Sequence, residues 1–254
     1  MINDEQVMKS YQAIEDFFLK KYEGDIISPF KAQVFSGESI VPADTLSVGC
    51  PRHKLLFRTY GVIPEVCFNC YKIEIQPKKV VDLFKLAILF KRLSFEKNNS
   101  RKCFLRPRKD VSSHYSGLIY FKGTTEPKLM LKKIEPVLRS EIGENIPFFI
   151  KRGCTDYSKL YPAYAELDEN YEPKTGFNEK WRKIEEQFNK EGVANQLGER
   201  QKSPYPNGFG FHDFLSMRTW LSYAKTIGDD SYKKVTTGSV EPIPGLDPAP
   251  FISE

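Results

Sequence analysis

The chain has 254 residues, 40% hydrophobic and 28% charged, and 38 Lys and Arg against 33 Asp and Glu leave a net charge of +5. It reads as an ordinary soluble globular protein with length for a proper core, in one large domain or two small ones. The most apolar stretch, residues 80–90, is broken by Asp82 and Lys85 and is too short to span a bilayer, which excludes a membrane partner. The opening Met1-Ile-Asn-Asp-Glu5 has no basic segment leading into an apolar one, so a secretory signal is not expected. Five cysteines is an odd count that suggests no disulfide framework; reduced thiols in a cytoplasmic setting are the simpler account.

Residues 4–22 place Val7, Tyr11, Ile14, Phe17, Phe18 and Tyr22 at helical spacing behind Asn3 or Asp4 as cap. A Ser-, Pro- and Gly-rich stretch runs to residue 49, with one short strand expected at 33–35. Two knuckle signatures follow, Cys50-Pro-Arg-His53 and Cys67-Phe-Asn-Cys70. Each places two ligands on a tight turn, and together they supply the three thiolates and one imidazole of a closed tetrahedral zinc site. Four protein ligands leave no open position, so a structural Zn2+ is expected on Cys50, His53, Cys67 and Cys70. The alternative is four unrelated buried residues, and a strand that began at Cys67 would send Cys67 and Cys70 to opposite faces.

Residues 67–76 alternate, Tyr71, Ile73 and Ile75 against Lys72, Glu74 and Gln76, which is strand behaviour. Pro77 opens a helix running to about residue 93 that is apolar on most sides. Strands are predicted at 102–106 and 117–122. Thr125, with Glu126 and Pro127 in the first turn, caps a helix to residue 142 with a kink at Pro136, and a fourth strand occupies 146–151. The order β-α-β-β-α-β is the split βαβ, ferredoxin-like arrangement, an antiparallel sheet with both helices on one face. Residues 155–175 look irregular and carry Tyr157, Tyr161, Tyr164 and Tyr171. Helices are expected at 178–190, with Trp181, Ile184 and Phe188 on one side, and at 213–227, with Trp220 inward. The fold class is therefore α+β: a ferredoxin-like core with a Cys3His zinc knuckle insertion (50–154), an N-terminal helix and loop-rich segment (1–49), a helical extension packed on the core (155–234) and a flexible Pro-rich tail (235–254).

The segment joining the second and third strands of that core is basic, with Lys102, Arg106, Arg108 and Lys109 ahead of Ser112, Ser113, His114 and Tyr115. Metal-independent phosphodiester cleavage needs a base, an acid and a cation; His114 as base or acid with Tyr115 as its partner and Arg106 or Arg108 as clamp fit those roles. The plain alternative is a solvated hairpin with a surface histidine. An open ferredoxin-like face binds single strands by stacking bases on aromatics among cations, which points to Tyr120 with Lys102, Arg106, Arg108, Lys109, Lys151 and Arg152 as nucleic-acid contacts. The competing reading has flanking helices cover that face. Lys151-Arg152-Gly153-Cys154 closes the fourth strand with two cations at a glycine turn; Cys154 as nucleophile lacks a local base. No P-loop, dinucleotide-binding or hydrolase-elbow motif occurs. The sequence thus points to a zinc-stabilised protein that binds nucleic acid, single-stranded or structured RNA, with RNase activity as the enzymatic extension. One alternative is a non-enzymatic interaction or assembly module that meets a protein partner through residues 157–171. Another is a small-anion-binding enzyme or regulator built on the Lys151-Arg-Gly turn.

Overall fold

The structure, a computed structural model, describes residues 1–21, 39–41, 50–97, 99–107, 113–190 and 208–246. It is a mixed α+β fold whose described strands form one antiparallel sheet: β1 (Ser39–Val41), β2 (Cys70–Ile75), β3 (Arg101–Leu105), β4 (Tyr115–Lys122) and β5 (Phe148–Arg152). Their spatial order is β1-β3-β4-β2-β5, and every neighbouring pair runs antiparallel. Eight α-helices are described: α1 (Asp4–Lys21), α2 (Cys50–Tyr60), α3 (Val80–Arg92), α4 (Thr125–Glu141), α5 (Thr155–Leu160), α6 (Pro162–Ala165), α7 (Arg182–Lys190) and α8 (Phe211–Ile227).

Alternation along the strands separates two faces. Tyr71, Ile73 and Ile75 of β2, Ile119 and Phe121 of β4 and Ile150 of β5 join the apolar sides of α1, α3, α4 and α8 in the main core. Helix α3 lies close to the sheet because Gly117 of β4 offers no side chain: a Cβ there would stand 2.3 Å from Leu86 Cδ2. The N- and C-terminal helices meet over α3, where Phe18 stacks on Phe214 at 5.3 Å and Trp220 sets its edge against Phe84 at 5.4 Å. Burial of this size is the main stabilising term. A second, smaller core lies at the Cys70 end of β2, built from Ile63, Cys67, Phe68, Tyr157 and Tyr164, and a third from Leu56, Val62 and Phe188, with Trp181 packed against both.

Several boundaries differ from the sequence expectation. Strand β2 begins at Cys70 because residues Glu65–Asn69, opened by Pro64, form a 3-10 turn, and Cys67 sits in that turn rather than in the strand. Cys50 and His53 occupy the first turn of α2, where a tight knuckle turn was expected. Residues 155–165, read as irregular, are two helices of six and four residues, too short to show a period. The Tyr-rich segment is largely internal: Tyr157 and Tyr164 are buried in the second core. The strand expected at 33–35 and the end of the Pro-rich tail lie outside the described residues.

One buried carboxylate ties the helices together. Asp229 Oδ2, just past α8, accepts from the Val80 N–H at the start of α3 (2.6 Å) and from the Tyr115 hydroxyl of β4 (2.7 Å). Asp229→Ala strands both buried donors and is expected to lower unfolding stability by about 3 kcal/mol, read as a lower denaturant midpoint with unchanged slope.

Candidate functional site

The second face of the sheet carries the polar half of each strand. Register places Lys72 opposite Tyr120 and Lys151, Glu74 opposite Leu118 and Phe149, Lys102 opposite Leu118, and Phe104 opposite Ser116. Among the described residues, Lys72, Lys102, Arg106, Lys122 and Lys151 thus share this face with one carboxylate, Glu74. Lys72 and Glu74 are buried, at 4% and 1% exposure. Arg106 pairs with Glu74 Oε1 at 2.5 Å and Lys151 with Oε2 at 2.8 Å, while the Gln76 amide donates to Oε1 at 3.0 Å. Burial opposes ionisation of Glu74, but Lys151, Gln76 and Arg106 outweigh it and hold the carboxyl below its ordinary range. Burial likewise pushes the Lys151 ammonium down, against Glu74, with the Lys72 and Arg106 charges adding to the push.

Beside this face four thiols lie within electrostatic reach of Lys72. Cys50 stands at the start of α2, Cys67 and Cys70 bracket the end of the 3-10 turn, and Cys154 follows β5. The pairing of β5 with β2 brings the last of these in, since the Gly153 N–H donates to the Cys70 carbonyl at 2.8 Å. Gly153 sits at φ +56°, and a Cβ there would stand 1.8 Å from the Tyr164 hydroxyl oxygen. The Cys50 thiol donates to Cys154, which holds the Cys154 thiol below its ordinary value, with Lys72 and Lys54 acting in the same sense, and pushes Cys50 up. Burial pushes Cys67 up to about 12, with Cys70 and Cys154 adding, and raises Cys70 too. The Lys72 ammonium donates to the Gly153 carbonyl at 2.7 Å and to Cys154 Sγ at 3.6 Å, and lies 5.1 Å from the centre of the Tyr120 ring. Cys67 Sγ faces the Tyr157 hydroxyl at 3.7 Å.

Of the expected metal ligands, Cys50, Cys67 and Cys70 belong to this cluster. His53 makes no hydrogen bond to any of the four thiols among the described residues; burial, then Arg52, lowers its imidazole. The thiol that completes the group is Cys154, which no local spacing ties to the knuckles. Among the described residues, no group of three or more His, Cys, Asp or Glu side chains is arranged so as to hold a metal ion as it stands.

The expected catalytic trio is not gathered on one surface. His114 Nδ1 is hydrogen-bonded to the Tyr223 hydroxyl at 2.9 Å, and Tyr115, fully buried, turns to the helix face and donates to Asp229. Arg106 lies on the opposite face, on Glu74. Arg152, expected to contact phosphate, is buried and donates to the Phe68, Thr175 and Tyr164 carbonyls at 3.0, 2.7 and 3.2 Å. Tyr120 is 8% exposed. Arg108 and Lys109 lie outside the described residues. Among the described residues no helix is long and apolar enough to cross a membrane. Compared with known protein families, curated proteins and solved structures, the chain finds no match.

Glu74→Gln keeps the shape and removes the charge that answers two inward cations. It is expected to cost about 3 kcal/mol at neutral pH. Because the folded carboxyl titrates below its ordinary 4.5, its contribution is complete above that value and is lost as pH falls through the folded one. Thermal melts from pH 7 down to pH 3 should therefore show the gap between wild type and Glu74→Gln narrowing with acid.

Proposed function

We propose that the chain binds nucleic acid, single-stranded or structured RNA, along the second face of its sheet, and that its core is ferredoxin-like. The topological support is the order β3-β4-β2-β5 with α3 and α4 as the two connections, which is the order of a split βαβ sheet. The single observation that carries the functional reading is the charge of that face: five cations with one carboxylate among the described residues, interleaved with aromatics. Cations held together in this way raise the local potential and draw in a polyanion. Phe104, with the Lys102 ammonium 4.5 Å and the Arg106 guanidinium 6.0 Å from its ring centre, and Phe149, 40% exposed, are the candidate stacking surfaces. Tyr120 and Leu118 are too buried to take a base, so contact falls to the margins of the face, at Lys102, Phe104, Lys122 and Phe149. Cleavage is not part of the proposal, because His114 and Tyr115 are engaged with Tyr223 and Asp229.

Fluorescence anisotropy with a labelled single-stranded RNA tests this at two salt concentrations. Affinity is expected to fall by about 0.7 log unit per phosphate contact per log unit of salt, and Lys102→Glu with Lys122→Glu should weaken binding by roughly tenfold or more. Affinity that responds neither to salt nor to the paired charge reversal, in a variant with wild-type circular dichroism, overturns the reading.

A further inference from the structure

We propose that Cys50, Cys67, Cys70 and Cys154 together hold one zinc ion as a four-thiolate site, with Cys154 in the place that sequence spacing assigns to His53 and with Lys72 as its counter-charge. Three observations converge on it. Four thiols from three separate segments lie within electrostatic reach of the Lys72 ammonium, which stands 3.6 Å from one of them, Cys154. The backbone under them is fixed: the Cys70 N–H donates to the Cys67 carbonyl, the Gly153 N–H to the Cys70 carbonyl, and Tyr164 fills the space beside Gly153. Finally, Lys72 is 4% exposed and, among the described residues, has a carbonyl, an aromatic ring and a thiol as partners but no carboxylate. A buried ammonium without a compensating charge is costly, and the groups in reach that can carry negative charge are the thiols.

More than one thiolate in so small a space repels its neighbours unless a cation lies between them. A divalent ion on four thiolates leaves two negative charges, and Lys72 reduces these to one. An all-sulfur donor set free of carboxylate and imidazole suits zinc, and four protein ligands make the site structural. Among the described residues the thiols do not already form a metal-holding group. Loading therefore turns the Sγ atoms inward by side-chain rotation and releases the Cys50–Cys154 hydrogen bond and the Cys67–Tyr157 contact, while the backbone stays in place. The site then joins α2 and the segment after β5 to the end of β2, clamping the second core onto the sheet. His53 lies one turn along α2 without a bond to any of the thiols.

The test uses the full chain expressed with zinc in the medium, acid-released and assayed by elemental mass spectrometry. One zinc per chain is expected for wild type and His53→Ala, with loss of the metal in Cys154→Ala. Should Cys154→Ala fail to fold, the wild-type chain, reduced and stripped of metal, is titrated with Co2+. Its visible spectrum separates four sulfur ligands from three sulfurs and one nitrogen. Zinc retained by Cys154→Ala and lost by His53→Ala, or a spectrum of the mixed ligand set, overturns the assignment. A wild-type chain that takes up neither Zn2+ nor Co2+ also overturns it and leaves Cys154 as a metal-free thiolate paired with Lys72; bound iron overturns it in favour of an iron–sulfur centre.

Discussion

Strand β2 carries two opposite charges into the protein two residues apart, Lys72 at 4% exposure and Glu74 at 1%, and the arrangement around it follows from the need to answer them. Either charge alone costs several kcal/mol in lost hydration, of the order of the whole stability of a domain of this size. Glu74 is answered from both flanks of its strand on one face of the sheet, by Arg106 just past β3 and by Lys151 of β5. Lys72 is answered by a carbonyl, a ring and a thiol. A one-residue slip of β2 would drive both charges against α3 and α4 and expose Tyr71, Ile73 and Ile75 to the polar face. The two charges therefore specify the strand register as firmly as the apolar residues do.

The order of elements was legible because the periods change cleanly. Alternation at 71–76, the apolar run of α3 and the Thr125-Glu-Pro start of α4 each point to one local answer, and local answers that agree tend to hold. What escaped were elements whose signal is not periodic. Helix α2 opens with Cys-Pro-Arg-His, which reads equally as a knuckle turn and as a helix start with proline in its first turn. Helices α5 and α6 are held by Tyr157 and Tyr164 entering a core that exists only once the chain has folded back. The boundary at Cys70 was set by Pro64, whose preference for opening the 3-10 turn competes with the strand tendency of Phe68.

The candidate site was half legible for the same reason. Cys50, Cys67 and Cys70 are visible as spacings, but Cys154 reaches them through the pairing of Tyr71 with Arg152, which fixes what lies one and two residues further along. Given the expected strand order, that register could have been written down: the last strand pairs antiparallel with the first, so its end must meet the first strand's beginning. The reverse holds for His114, Tyr115 and Arg106. They are neighbours across a hairpin, yet alternation turns Tyr115 to the helices and Arg106 to the opposite face, and chain proximity misled.

Lys72 belongs to both halves of the site, which makes them one electrostatic system. Its ammonium touches the Cys154 sulfur on one side and lies over Tyr120 on the other, and its charge already presses on Lys151. Negative charge on the thiols offsets it locally, relieves Lys151 and strengthens the hold of Lys151 and Arg106 on Glu74. The centre of the sheet face is then internally neutral, and its attraction for an anion concentrates at the margins, where Lys102 and Lys122 stand. Neutral thiols leave Lys72 uncompensated and add its field to the whole face. Any ligand that changes the charge of the thiol cluster must therefore change the affinity of the face for anions, and by thermodynamic reciprocity an anion bound to the face must shift the affinity of the cluster for its ligand by the same factor.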